Sequence, residues 1–261
     1  MRPIPVLMYH HVTRHRSDML TVRPEVFAGQ MRYLAESGYR TLKLDELVSH
    51  ILGKCVVSEK AVVITFDDGW LDNYLFAFPV LEHYRLNAAI FLVTDWTAAA
   101  SAGAGTLPDD VPTHEEAKAF VARGDAAKVI LGWDIVRRME ASGLVEFYSH
   151  AASHGKCATL DREELAWEIR ESKRVLEQEL GRPCPYLCWP KGSFNDMAVE
   201  VAREGGYEAL FTTVPGVVEP GSDPFRIRRI VVKDDIAWFK KRMRVYTNRA
   251  LSRLYLSIKK P

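Results

Sequence analysis

A distorted α/β barrel of about eight mostly parallel strands, in one domain, is the fold predicted by this sequence. Three observations carry the prediction. Residues 61–66 form a short apolar run rich in β-branched side chains, the pattern of a strand buried on both faces of a parallel sheet. Predicted strands and helices alternate along most of the chain, as in βα units. No linker divides the 261 residues, a length that suits one barrel or two small domains. An open doubly wound sheet is the alternative architecture.

In chain order, residues 4–9 read as a strand running into His10-His11. A helix follows over 24–37, with Pro24 in its first turn and Phe27, Met31, Leu34 and Ala35 at helical spacing. Residues 39–43 are a strand and 44–52 a short helix. The strand over 61–66 ends in Asp67-Asp68-Gly69, and residues 70–84 read as a helix distorted by Pro79. Residues 88–93 are a buried strand. The rhythm breaks over 95–131, where 98–105 reads as a small-residue loop and 113–123 as a helix with Thr113 and Glu116 forming a capping box. This block is an insertion, either over the site or as surface decoration. Helix 133–141 and strand 144–148 restore the pattern, the latter ending in Ser149-His150-Ala151-Ala152-Ser153-His154. A long helix starts at Asp161 and stops at Gly181. Strand 185–189, helix 195–204 and strands 208–213 and 225–232 complete the barrel. The predicted division is a catalytic domain over 1–235 and a basic amphipathic tail over 236–261.

The net charge of +1 argues against nucleic acid as a general partner. No apolar run approaches the roughly 18 residues of a membrane span. The N-terminal stretch reads as a first strand, so a cytoplasmic location is expected. The cysteines at 55, 157, 184 and 188 lack paired spacing, which speaks against a structural zinc site. The tail has eight Lys or Arg and no Asp or Glu, interleaved with aromatic and aliphatic residues. It suits either a helix packed on the barrel with a solvated basic face, or peripheral contact with an anionic inner-membrane surface.

Polar residues gather where predicted strands end. His10 follows the first, Asp67-Asp68 the third, His150 and His154 the fifth, and Pro190-Lys191 the sixth. In a parallel barrel these ends open on one face, where active sites are built. One carboxylate with two histidines makes a three-ligand site with open positions, the arrangement of a catalytic metal. If 150–154 makes one helical turn, both imidazoles point the same way. The same ligands serve non-haem Fe(II) oxygenases. The adjacent second carboxylate favours hydrolysis: a cation lowers the pKa of water towards about 7, and a neighbouring base takes the proton.

These residues resemble the polysaccharide deacetylase family, the NodB-homology or carbohydrate esterase 4 group. Thr65-Phe66-Asp67-Asp68-Gly69 matches the first family motif, and His150-x-x-x-His154 has the ligand spacing of the second. Trp189-Pro190-Lys191-Gly192 looks like the third in its WPYG form, seen in the subgroup related to poly-N-acetylglucosamine deacetylases. Residues 5–12, PVLMYHHV, look like that subgroup's N-terminal signature. The resemblance implies a (β/α) barrel, usually of seven strands. It implies Asp68, His150 and His154 as ligands of a divalent metal, with Zn2+ the first choice and Co2+, Ni2+ or Fe2+ the others. It implies Asp67 as general base, and metal-assisted removal of N-acetyl, sometimes O-acetyl, groups from a saccharide. His10 is the candidate acid for the departing amine. Trp189, Pro190 and Lys191 are candidate substrate contacts. A lipid-linked or lipopolysaccharide-type sugar fits the basic tail.

The departures are Gly155 where proline is usual, Lys191 where tyrosine is usual, and no histidine after His154. The family's base-steadying arginine is also absent from the third motif; Arg228 is a candidate substitute, against the plainer reading of a strand arginine facing a surface acid. The rival functions are a non-catalytic saccharide-binding relative, an O-deacetylase and another metal hydrolase such as a phosphoesterase.

Overall fold

A computed structural model describes residues 2–15, 18–103 and 111–258. Its strands are β1 (Ile4–Tyr9), β2 (His11–Val12), β3 (Thr21–Val22), β4 (Arg40–Thr41), β5 (Ala61–Phe66), β6 (Ala88–Leu92), β7 (Val145–Ser149), β8 (Tyr186–Cys188), β9 (Ala209–Pro215), β10 (Val217–Val218) and β11 (Ile227–Val231). Its α-helices are α1 (Pro24–Glu36), α2 (Leu44–Ile51), α3 (Phe78–Tyr84), α4 (Thr94–Ala102), α5 (His114–Ala122), α6 (Trp133–Ala141), α7 (Arg162–Leu180), α8 (Asp196–Glu204), α9 (Ile236–Tyr246) and α10 (Arg249–Ile258).

Strands β1, β5, β6, β7, β8, β9 and β11 form a closed parallel barrel of 7 strands, completed by the pairing of β1 with β5. The predicted strand at 39–43 shrinks to β4, which lies outside the closure on the edge of β5. Strand β10 runs antiparallel to the start of β1. Every residue of β1 and β5 is buried, the result expected of strands covered on both faces.

Two local differences from the sequence expectation have plain causes. The helix expected over 70–84 divides into a π-helical turn, Asn73–Ala77, and α3. Pro79 follows closely on that turn; lacking an N–H, it cannot continue the ordinary ladder, and the wider turn before it takes up the break. The small-residue loop expected over 98–105 is instead the second half of α4; alanine, the best helix former, fills it, and residues 104–105 lie outside the described residues. Helix α5 keeps the predicted capping box between Thr113 and Glu116. Within the 95–131 block, Ala100, Ala117, Ala126, Val129 and Ile130 pack with Trp70 as a small core of their own.

The tail forms two helices. Phe239, Met243 and Tyr246 of α9 are buried, whereas Leu251, Leu254 and Ile258 of α10 are exposed. Arg244 and Asn248 share a cleft with Arg2 and Lys60, which immediately precede β1 and β5. Helix α9 therefore starts beside α1, where Ile236 meets Gly29, and its last turn reaches the N-terminal end of the barrel, away from the face that carries the polar residues.

Candidate active site

Two adjacent carboxylates leave the C-terminal end of β5 and take different roles because the backbone turns between them. Asp68 has φ 76°, and Gly69 follows at φ 77°. Left-handed backbone is unusual outside glycine, though aspartate is among the residues that tolerate it. A Cβ on residue 69 would fall 2.5 Å from a Leu92 methyl, so the tight turn needs glycine. The result sends Asp67 and Asp68 to different partners.

Asp68 meets the two histidines. Its Oδ1 lies 3.3 Å from His150 Nε2 and 3.1 Å from His154 Nε2. Yet Oδ1 is buried without a hydrogen-bond partner among the described residues. One oxygen and two ring nitrogens thus converge on a common point, each within 4.8 Å of the others. His150 Nδ1 lies 2.8 Å from the Cys188 carbonyl. A carbonyl only accepts, so Nδ1 carries a proton, and in the neutral ring Nε2 is left as the ligating atom. Burial pushes the Asp68 carboxyl up, and the two imidazoles beside it outweigh this, holding it well below the ordinary carboxylate value. An orphaned buried acceptor beside an oriented imidazole fits a divalent cation.

The histidines do not lie on a helical turn. Ala151 and His154 both have positive φ, at 61° and 66°. The loop is held by buried Glu168 of α7, whose Oε2 accepts from the backbone N–H groups of Ala152 and Ser153 at 3.0 and 2.9 Å, and whose Oε1 accepts from the Ser153 hydroxyl. Sequence reasoning missed Glu168, which reads there as one more acid on a charged helix.

Asp68 Oδ2 accepts from Trp70 Nε1 at 2.9 Å. The Trp70 indole stacks on His11, itself bonded to Asp72. Trp70→Phe removes this donor and is expected to weaken cation affinity by about 10–100-fold. A competition titration against a chromogenic chelator reads the change, and an unaltered affinity excludes a role for the indole N–H.

Asp67 meets a guanidinium. Arg229 donates from Nη1 to Oδ1 at 2.6 Å and from Nη2 to Oδ2 at 2.7 Å, a bidentate pair between fully buried groups. Arg229 is held in turn by the Thr212 carbonyl and the Thr65 hydroxyl. Burial pushes the Asp67 carboxyl up, and the Arg229 charge outweighs this and keeps it below its ordinary value. Arg228, the candidate from sequence, is exposed instead. Strand side chains alternate, and counting from buried Ile227 turns residue 229 inward and 228 outward. That count was available in the sequence.

Asp67, His150 and Cys188 also offer atoms within 4.8 Å of one another. That second grouping does not suit a cation. Both Asp67 oxygens are taken by Arg229, whose Nη2 also lies 2.9 Å from Cys188 Sγ. Burial raises the Cys188 thiol above its ordinary value, and thiolate is the ligand form.

His10 directly follows β1, with Nε2 3.7 Å from Asp67 Oδ2, close enough for charge interaction but too far for a hydrogen bond. Burial lowers its pKa, against the opposing pull of the Asp67 and Asp68 charges. Of the three residues expected at the WPKG turn, Trp189 and Pro190 are buried; Trp189 packs against Phe194 in the core. Only Lys191 is exposed beside Asp68 and His154.

A family profile described as polysaccharide deacetylase matches residues 54–210. Bacillus subtilis (strain 168) YxkH is 27% identical over 229 residues, covering 88% of this chain and 71% of that protein. The poly-beta-1,6-N-acetyl-D-glucosamine N-deacetylase of Escherichia coli (strain K12) is 26% identical over 240 residues, covering 81% of this chain; the match spans only 34% of the E. coli protein. The Streptococcus pyogenes deacetylase PplD, solved in complex with acetate, superposes with a TM-score of 0.74 at 22% identity, over 89% of this chain and 93% of that one. At that identity the likeness is one of fold. With the matched profile spanning more than half its length, this chain belongs to the polysaccharide deacetylase family.

Proposed function

We propose that this protein hydrolyses N-acetyl groups from an amino-sugar-containing saccharide, using a divalent cation held by Asp68, His150 and His154. The observation that carries the reading is the orphaned Asp68 oxygen facing two imidazole nitrogens, one residue from a second carboxylate clamped by arginine. A bound cation supplies Lewis acidity there, polarising a carbonyl and making water a readier proton donor. Zinc is the first choice for one oxygen and two nitrogens, and Co2+, Ni2+ and Fe2+ suit the same donors.

Asp67 is the base. Arg229 keeps it deprotonated and fixes both its oxygens, so it receives a proton without first being reoriented. His10 donates to the departing nitrogen; its lowered pKa makes the imidazolium a readier donor. The Lys191 backbone N–H, in a left-handed turn at φ 57°, is the candidate donor to the developing oxyanion. The nitrogen rather than oxygen ester specificity rests on the N-deacetylase relative.

Acetate and free amine measured together test the reading on N-acetylglucosamine oligomers. Equal release of both is expected, abolished by dipicolinate and restored by zinc or cobalt. Acetate released only from O-acetylated sugars would identify an O-deacetylase. Saccharide binding without release would identify a non-catalytic relative. Turnover of aryl phosphates in place of acetates would identify a phosphoesterase.

A further inference from the structure

A cavity of about 440 Å³ adjoins the proposed cation site and shares Asp68 and His154 with it. Whatever fills it lies against the reacting group, and its size falls within the roughly 300–1,000 Å³ of small-molecule sites. The 95–131 block builds much of its wall. Trp96 of α4 presents its ring 4.9 Å from that of His154 and 5.8 Å from that of Trp70. This gives an apolar aromatic face on which the C–H side of a sugar ring can rest.

Two lysines reach the cavity from separate elements. Lys118 comes from α5, and Lys191 from the turn after β8. Neither makes an ion pair or hydrogen bond among the described residues. The carboxylate lining this cavity, Asp68, already faces His150, His154 and Trp70. His114, which also lines it, is paired with Asp18. Two acids of the same block have partners elsewhere: Glu116 bonds Thr113, and Asp125 pairs with Arg123 and Lys128. Lys191 is also fixed from below. A Cβ on Gly192 would fall 2.1 Å from Thr213 Oγ1, so the turn that presents the lysine is tightly packed.

We propose that this cavity is a subsite for an acidic sugar residue: the substrate carries a phosphate or carboxylate next to the N-acetylated sugar, and Lys118 and Lys191 hold that anion. The inference rests on the deacetylase reading above. Ammonium groups suit either anion as compact point charges. An uncharged homopolymer offers them nothing, and its deacetylated product, being cationic, is repelled.

The test compares kcat/KM for acetate release by the full chain on three oligosaccharides. They are an N-acetylglucosamine tetramer, a hyaluronan tetrasaccharide containing glucuronate, and an N-acetylglucosamine tetramer bearing a terminal phosphate. One acidic substrate is expected to exceed the neutral one by about tenfold at low salt, mostly through KM. Which one does so tells carboxylate from phosphate. The preference should shrink at about 0.5 M salt, where screening is strong. Lys118→Glu, at an exposed helix position, should bring the acidic-to-neutral ratio to one or below, and Lys118→Arg should retain it. A neutral tetramer processed as well as both acidic ones overturns the inference and leaves the deacetylase reading standing. So does a ratio unmoved by Lys118→Glu. No release from any of the three overturns both.

Discussion

Asp67→Asn is expected to lower turnover by about 10²–10⁴-fold while the protein still takes up one cation per chain. The amide cannot accept a proton as the carboxylate does, whereas Asp68, His150 and His154 are untouched. The substitution also has a structural side. Arg229 donates to both Asp67 oxygens, and an amide offers one acceptor and one donor in their place. One guanidinium N–H then faces an N–H in a buried site, which costs about 1–3 kcal/mol. Thermal melting and metal stoichiometry must therefore be read beside the kinetics. A folded, metal-loaded variant with near-normal activity would remove Asp67 as the base.

Arg229→Met should have the larger effect on stability, about 3–5 kcal/mol, because it leaves a buried carboxylate without its counter-charge. For a chain of this size that corresponds to a fall in Tm of about 10 °C. The pH dependence follows from the sign of the shift. In the native protein the Arg229 charge holds the Asp67 pKa below its ordinary value, so the stabilisation is present above the unfolded pKa of about 3.9 and is lost as pH falls through the lower folded value. Without the guanidinium, burial, the largest single influence on this carboxyl, faces only the weaker pull of His150 and His10, and the pKa rises. The buried acid then destabilises the fold most at high pH, and the gap in Tm from the native protein narrows as pH falls towards the raised value. The base is also protonated at higher pH, so the acid limb of the pH–rate profile moves up. A variant with an unmoved acid limb and a pH-independent Tm gap would mean that Arg229 does not set the state of Asp67.

Much of this site was legible because its parts sit at the ends of apolar runs. His10, Asp67, Asp68, His150 and His154 each follow a strand whose burial pattern the sequence displays, and a parallel barrel brings such ends to one face. Arg229 was legible in principle through strand alternation, which turns it to the same side as Ile227 and turns Arg228 away. Glu168 was not. Its spacing, three residues after Leu165 and four before Ser172, puts it on the buried face of α7, but nothing along the chain says that the backbone it grips belongs to the histidine loop.

Local chemistry, read along the chain, determined the barrel class, the strand ends, the capping of α5, the limits of α7, and the residue types gathered for a cation and a base. Those features depend on short-range periodicity and on side-chain type, both of which the linear order displays. Only the tertiary structure decided which guanidinium clamps Asp67, and why the two carboxylates part: a left-handed turn at Asp68 divides them. It also decided that Lys118 and Lys191, far apart in the chain, line one cavity. Such pairings depend on barrel closure and loop packing, which bring together residues with no neighbouring signal in common.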